Sequence, residues 1–217
     1  MEDIIILGAG GMAREVAFLI DEINRRQPTW KIVGFADADR NSIGTPVGRH
    51  QIICSEDDLL KMNIAAAVGI GNPEVIAKIG ERFRQNDNVV FPNLIHPNVI
   101  WDQERIAIGQ GNVICASSNF TTDIAIGSFN ILNRNCTYGH DLRIGDYCVL
   151  NPGLNLSGGV EIGSRCLIGA GATILQYVKI GDDVTVGAGS VVTKDIPSGM
   201  TVVGVPAKPL PPRDARS

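Results

Sequence analysis

Between Ile108 and Val192 a large apolar or aromatic residue recurs at every sixth position, fifteen times without a break: Ile108, Ile114, Phe120, Ile126, Leu132, Tyr138, Ile144, Leu150, Leu156, Ile162, Ile168, Ile174, Ile180, Val186 and Val192. Period six matches neither the 3.6-residue turn of a helix nor the simple alternation of a hairpin strand. It is the mark of a parallel β-helix built from hexapeptides, each short strand stacking on the one a full coil away. Every third hexad opens with Ile-Gly, at Ile108, Ile126, Ile144, Ile162 and Ile180. A coil therefore takes 18 residues, its cross-section is a triangle, and about five coils follow. The glycine after each of these isoleucines is expected to serve a corner with unusual dihedral angles.

A narrow prism needs small and aliphatic side chains, and aromatics make up only 5% of the 217 residues while 25 are glycine. Alternation also points the residue two before each large one inward. One such column is Ile106, Ile124, Leu142, Val160 and Val178; another is Asn112, Asn130, Cys148, Cys166 and Val184. Cys136, Cys148 and Cys166 thus read as core fillers, the last two stacked about 4.8 Å apart. The five cysteines form no CxxC pair and read as reduced thiols of a cytoplasmic protein. The residue just before each large one faces outward, and on one wall these are Val113, Ile131, Val149 and Leu167, then Thr185. Four stacked apolar residues mark an interface. The cover is either the N-terminal domain or a second copy of the chain. Self-association is the expectation, with Leu167→Glu weakening the oligomer.

The residues ahead of the repeat alternate differently. "DIIIL" reads as a buried strand, and "GAGGMAREVAFLIDEINRR" as a turn and a helix with Val16, Leu19, Ile20 and Ile23 on one face. "KIVGFAD" is a second strand and "AAAVGI" a third. Ser55 caps the acidic "EDDLLKM", and Asn72 with Pro73 opens another helix. This is a small α/β unit with a parallel sheet. Gly8, Gly10 and Ala13 fit GxGxxA between strand and helix, where glycines and a helix N-terminus favour a phosphate. Asp37 ends the second strand, where a ribose hydroxyl finds an acceptor. Only about 90 residues precede the repeat, room for one nucleotide and its diphosphate rather than for a full dinucleotide fold.

The net charge of −4 argues against a nucleic-acid binder. No apolar run approaches the roughly 20 residues that span a bilayer, and the acidic start "MED" lacks the basic segment of a secretory leader. Of three histidines, His140 stands in "GHD" beside Asp141, while His50 and His96 have no such context and read as loop residues.

Together the halves resemble the NeuD/PglD family of sugar acyltransferases, on "GAGG" at Gly8–Gly11, "GIGNPEV" at Gly69–Val75, "GHD" at Gly139–Asp141, the hexads, and "GAGSVVTKDIPSGMTVVGVPAK" at Gly187–Lys208. The resemblance implies a Rossmann-like half domain over 1–95, a left-handed β-helix over 96–205, a tail over 206–217, and a cytoplasmic homotrimer. It also implies a direct transfer from acetyl-CoA, with no metal, to the amino group of a nucleotide-activated amino sugar. His140 resembles the family's general base, a task that suits imidazole, whose ordinary pKa is about 6.5. Asp141 then orients the ring, the Gly158 N–H meets the oxyanion, and Asn133 stands at the family's active-site asparagine. For acetyl-CoA the resemblance points to Ala170 and Ala188 along the pantetheine and Lys194 and Lys208 at the phosphates. Val149, set with the donor-binding positions, occupies the place where several members carry a second, donor-contacting histidine, so that contact must be absent or replaced here. Gly10, Gly11, Met12, Asp37 and Gly71 are the implied nucleotide-sugar site. Met12 replaces a histidine of many members, and Asp37-Ala38-Asp39 replaces two adjacent acids.

Three alternatives remain at this level. One is O-acetylation of a sialic-acid-like sugar. Another is an NAD(P)-dependent oxidoreductase built on GxGxxA. The third is a non-catalytic β-helix scaffold.

Overall fold

A computed structural model describes residues 1–210; the last part of the expected tail, 211–217, lies outside the described residues. The chain begins with a six-stranded sheet in the order β3-β4-β2-β1-β5-β6. Its strands are β1 (Glu2–Leu7), β2 (Trp30–Asp37), β3 (Pro46–Val47), β4 (His50–Ser55), β5 (Ile64–Val68) and β6 (Val89–Val90). All neighbours are parallel except β3 and β4. The central strand β1 is closed off on both faces, so Ile4, Ile5, Ile6 and Leu7 are wholly buried. That is why it reads as an unbroken apolar run rather than an alternation. Helix α1 (Gly11–Arg26) buries Ala13, Val16, Leu19 and Ile20 along one stripe. Ala13 packs so tightly on the sheet that a Cβ on Gly69 would lie 2.5 Å from its Cα. Ser55 and Asp58 form a capping box on the short α2 (Glu56–Leu59), and the Asn72 side chain accepts from Glu74 and Val75 at the start of α3 (Pro73–Phe83).

Beyond β6 the chain winds into a triangular parallel β-helix whose strands pair 18 residues apart, as Ala125 does with Arg143 and Ile131 with Val149. Wall 1 runs from Ile106–Ile108 to Lys179–Ile180, and wall 3 from Asn119–Phe120 to Val191–Val192. Wall 2 is longer. It opens at Leu94–Ile95, ahead of the expected start at 96, and closes with Thr201–Val203 paired to Lys208–Pro209, inside the expected tail.

The two inward columns are buried as the alternation requires, Cys148 and Cys166 among them, and Cys136 on the third wall is buried too. The polar column satisfies itself along the axis. Asn130 Nδ2 donates to Asn112 Oδ1 at 3.0 Å, the Cys148 N–H donates to Asn130 Oδ1 at 2.8 Å, and the Cys148 thiol donates to the Gly163 carbonyl at 3.1 Å. Buried amides are affordable here because each finds its partner one coil away.

Two expectations need correction. The Ile-Gly glycines do not supply left-handed corners; those lie two residues later, at Gly111, Phe129, Tyr147, Arg165 and Asp183. The glycines are there for close stacking: a Cβ on Gly127 would lie 2.6 Å from the Gly145 carbonyl oxygen. Second, the apolar column on wall 2 is covered by the α/β domain, not by another chain. Val113, Ile131 and Val149 are buried in one core with β1, α1 and α3, and Leu167 packs at its rim. At the edge between walls 1 and 2, Phe83, Phe91 and Phe129 meet edge to face, with ring centroids 5.4 and 5.0 Å apart. The Tyr147 ring there lies against Gly80, and its hydroxyl donates to Glu81 at 3.3 Å. At the edge between walls 2 and 3, Arg134 pairs with Glu15 of α1 at 2.6 Å. Among the described residues the domain thus straddles wall 2 and leaves walls 1 and 3 uncovered.

Candidate active site

His140 sits on the edge between walls 3 and 1, in the turn between Thr137–Tyr138 and Arg143–Ile144. Its Nδ1 lies 2.7 Å from Asp141 Oδ2, and both side chains are more than half exposed, at 53% and 66%. With the shared proton on Nδ1, Nε2 is left as the acceptor nitrogen of a half-exposed ring. Asp141 holds a left-handed backbone, φ 59°, a conformation that short polar residues tolerate.

One coil further on, the ring lies over Gly158, where a Cβ would stand 2.5 Å from Nε2. Only glycine leaves the imidazole this place. Gly139, in turn, lacks the Cβ that would crowd the Gly158 nitrogen at 2.6 Å. The Gly158 N–H has no acceptor among the described residues, while its neighbour Gly159 donates to the His140 carbonyl at 2.8 Å. The imine nitrogen and an unengaged amide therefore stand side by side, the pair an acyl transfer needs.

The edge between walls 2 and 3 carries a different set. Asn133 is buried, and its Oδ1 accepts the Arg134 N–H at 2.8 Å. Within one chain it therefore does not meet His140, which is on the next edge. Asn151, one coil beyond, donates to the Ile168 carbonyl at 3.0 Å as an ordinary corner residue. Ala170 and Ala188 continue this edge, both exposed, and neither backbone N–H is engaged among the described residues. Lys194 and Lys208, far apart in sequence, line one depression of about 300 Å³ at the C-terminal end of the prism.

Val149 must be removed from the donor site: it is 3% exposed, sealed under the α/β domain. Outward on wall 2 meant interior to the molecule. His50 also differs from expectation, since it opens β4 and packs its ring 6.1 Å from that of Phe35. His96 accepts the Asn98 N–H on Nδ1 at 3.1 Å, a local turn contact. Burial pushes the Cys115 thiol up to about 12 and raises Cys136, while the hydrogen bond with Cys166, and then burial, raises Cys148, so none of these offers a ready thiolate.

On the α/β domain, the carboxyl ends of β1 and β5 form the crevice where the chain order reverses across the sheet. Gly10 and Gly11 follow β1, Gly71 follows β5, and Asp37 closes β2 beside them. Helix α1 has no side-chain cap at Gly10, so its first N–H groups face this crevice free for an anion. Met12 lies in that first turn, half-buried. One Asp37 oxygen accepts the Asp39 N–H at 3.0 Å.

The sequence reading missed the pairing of Gly139 with Gly158. Stepping by 18 from Thr121 through Gly139 and Ser157 shows glycine next to the base, but only coordinates show which atom that glycine clears. Among the described residues no helix is long and apolar enough to cross a membrane.

Residues 3–83 match the PglD N-terminal domain, and residues 141–176 and 159–194 match the bacterial transferase hexapeptide (six repeats). Several solved structures share the whole architecture. A histidine-to-asparagine variant of perosamine N-acetyltransferase from Caulobacter crescentus, in complex with CoA and GDP-perosamine, is 29% identical. That match covers 97% of this chain and 98% of that one, with a TM-score of 0.86. The acetyltransferase domain of PglB from Neisseria gonorrhoeae, in complex with acetyl coenzyme A, is 31% identical over 96% of this chain and 99% of that one, with a TM-score of 0.84. WeeI from Acinetobacter baumannii is 32% identical over 97% of this chain and all (100%) of that one, with a TM-score of 0.84. No curated protein sequence matches the chain.

Proposed function

The chain belongs to the NeuD/PglD-like family of left-handed β-helix sugar acetyltransferases, and on that premise we propose that it acetylates the amine of a nucleotide-activated amino sugar from acetyl-CoA. The observation that carries this reading is the exposed His140, fixed by Asp141 and laid over a glycine whose N–H is free. The neutral amine attacks the thioester carbonyl while His140 Nε2 takes the proton it releases. A C–N bond forms, the C–S bond breaks as the tetrahedral intermediate collapses, and His140 returns the proton to the departing thiolate. The Gly158 N–H faces the oxyanion between these steps. Asp141 stabilises the imidazolium that exists meanwhile.

The nucleotide enters the crevice at Gly10, Gly11, Met12, Asp37 and Gly71, with its diphosphate at the uncapped start of α1. The crystallised perosamine enzyme holds a GDP-sugar, which supports an amine acceptor over the sialic-acid hydroxyl. The oxidoreductase alternative leaves His140 and Gly158 without a task.

The assembly is a homotrimer in this reading, for a geometric reason. The α/β domain leans over the edge between walls 2 and 3, where Arg134 holds Glu15 and where Asn133, Ala170 and Ala188 lie. His140 lies on the edge between walls 3 and 1. If wall 3 of each copy faces a common axis, the base of one copy meets the acceptor domain and the alanine amides of the next. We place the enzyme in the cytoplasm, which keeps its five buried cysteines reduced.

The test is thiol release from acetyl-CoA against a panel of GDP-, UDP- and dTDP-amino sugars. Turnover with at least one is expected, and His140→Ala should lower it about 10²–10⁴-fold. Silence across the panel with turnover of free sialic acid would move the assignment to the O-acetyl alternative.

A further inference from the structure

Among the described residues, nine other than glycine hold left-handed backbone, and most are Asp, Asn or Ser, which that conformation suits. Three are aromatic: Phe129, Tyr147 and Tyr177, at φ 59°, 62° and 61°. Left-handed backbone under a bulky side chain costs energy that something else must offset. For Phe129 and Tyr147 the offset is plain, since both rings pack against the α/β domain. Tyr177 has no such partner among the described residues. It is 69% exposed on the opposite edge, with Leu175 beside it at 42%. Its in-register predecessors are Asp123, Asp141 and Gly159, all at ease in that geometry. The ring rests on Gly159, where a Cβ would stand 2.6 Å from Tyr177 Cε1.

This edge is the one that carries the base. In 18-residue steps it runs His140, Gly158 and Gln176; Lys194 follows on the last coil, at a corner two residues shorter where Ile180 pairs with Ile196, and opens onto the depression it shares with Lys208. Three coil rises separate His140 from Lys194, about 14 Å at 4.8 Å each. An extended pantetheine arm, from sulfur to first phosphate, matches about four residues of extended chain, roughly 14 Å.

We infer that Tyr177, with Leu175, is the bed on which the pantetheine arm of the acyl donor lies between the base and the terminal lysines. The inference rests on the acetyl-CoA reading above. The phenol offers an apolar face to the arm and a polar tip to its amides, the amphipathic contact at which tyrosine serves well. Lys194 and Lys208 then meet the diphosphate.

The test uses the full chain and CoA itself. Tyr177→Asn removes the ring but keeps a residue that tolerates the left-handed backbone. Calorimetry is expected to show CoA affinity falling about tenfold, with the KM for acetyl-CoA rising equally. The KM for the amino sugar, and kcat at saturating donor, should stay within about twofold. Tyr177→Phe, which keeps the apolar face and loses the polar tip, should lose less CoA affinity than Tyr177→Asn. Unchanged CoA affinity in Tyr177→Asn overturns the inference alone. So does a rise confined to the sugar KM, or a change in sedimentation, which would make Tyr177 an acceptor contact or a subunit contact. A wild-type chain that binds no CoA overturns the acetyltransferase reading as well.

Discussion

The β-helix repeats and the α/β domain does not, and the site draws on each differently. In the β-helix, position comes from register. Thr122, His140, Gly158 and Gln176 share one column, so position along the edge comes from stacking and side-chain identity distinguishes them; Lys194 follows on a corner two residues shorter, where Ile180 pairs with Ile196. In the α/β domain the crevice is built from backbone: an uncapped helix start, glycines with open space around them, one carboxylate. The first design makes each functional group sterically tight against the coil above. The second leaves room, because a diphosphate has to come close.

The same substitution should therefore have opposite consequences in the two regions. Gly158→Ala places a methyl 2.5 Å from His140 Nε2. The ring must leave its seat, and kcat should fall about a hundredfold, since an ångström of misplacement has that effect. Gly11→Ala meets nothing nearer than the Arg14 guanidinium at 4.0 Å, and alanine is a good helix former. Thermal stability should hold or rise while nucleotide-sugar binding weakens. Near-wild-type turnover in Gly158→Ala would break the contrast.

A smaller effect probes the seam between the regions. Ile131 is fully buried beneath the α/β domain. Ile131→Ala should cost about 2–4 kcal/mol in urea unfolding without changing the assembly state. Leu167→Glu, at the rim, should loosen the same seam rather than the oligomer. A mutant that dissociates instead would return wall 2 to the role of a subunit interface.

The smallest effect lies wholly inside the aperiodic half. Ser55→Ala removes the α2 cap, a loss of about 1 kcal/mol. The Ser55 hydroxyl and backbone N–H hold the Asp58 carboxyl below the usual carboxylate range. A carboxyl depressed in the folded state adds stability above its unfolded pKa and loses it as pH falls through the folded one. The wild type should therefore lose this increment on acidification below about pH 4, and Ser55→Ala should show a flatter acid limb in its denaturation midpoint.

The periodic half was largely legible in advance. Period six placed the inward columns from Ile106 to Val184, and the caps at Ser55 and Asn72 were readable because their chemistry is local. What stayed hidden was mutual. The column Val113, Ile131, Val149, Leu167 announces that it is covered but carries no mark of the cover, so the α/β domain and a second copy predict the same letters. Val149 followed its wall into the interior for that reason. Gly127 reads as a strained corner in sequence because a glycine needed for close approach is spelled like one needed for a positive φ. Phe129, Tyr147 and Tyr177 were passed over because a corner position carries no hydrophobic signal of its own. Only their dihedral angles set them apart.

The 18-residue stacking period has one more consequence. Duplicating or losing a whole coil would leave every ladder bond with an equivalent partner, yet move Lys194 relative to His140 by one step. Reach along this edge changes by whole increments and never by fractions. Chains of this design can drift freely in composition, but the size of donor they grip shifts only in jumps.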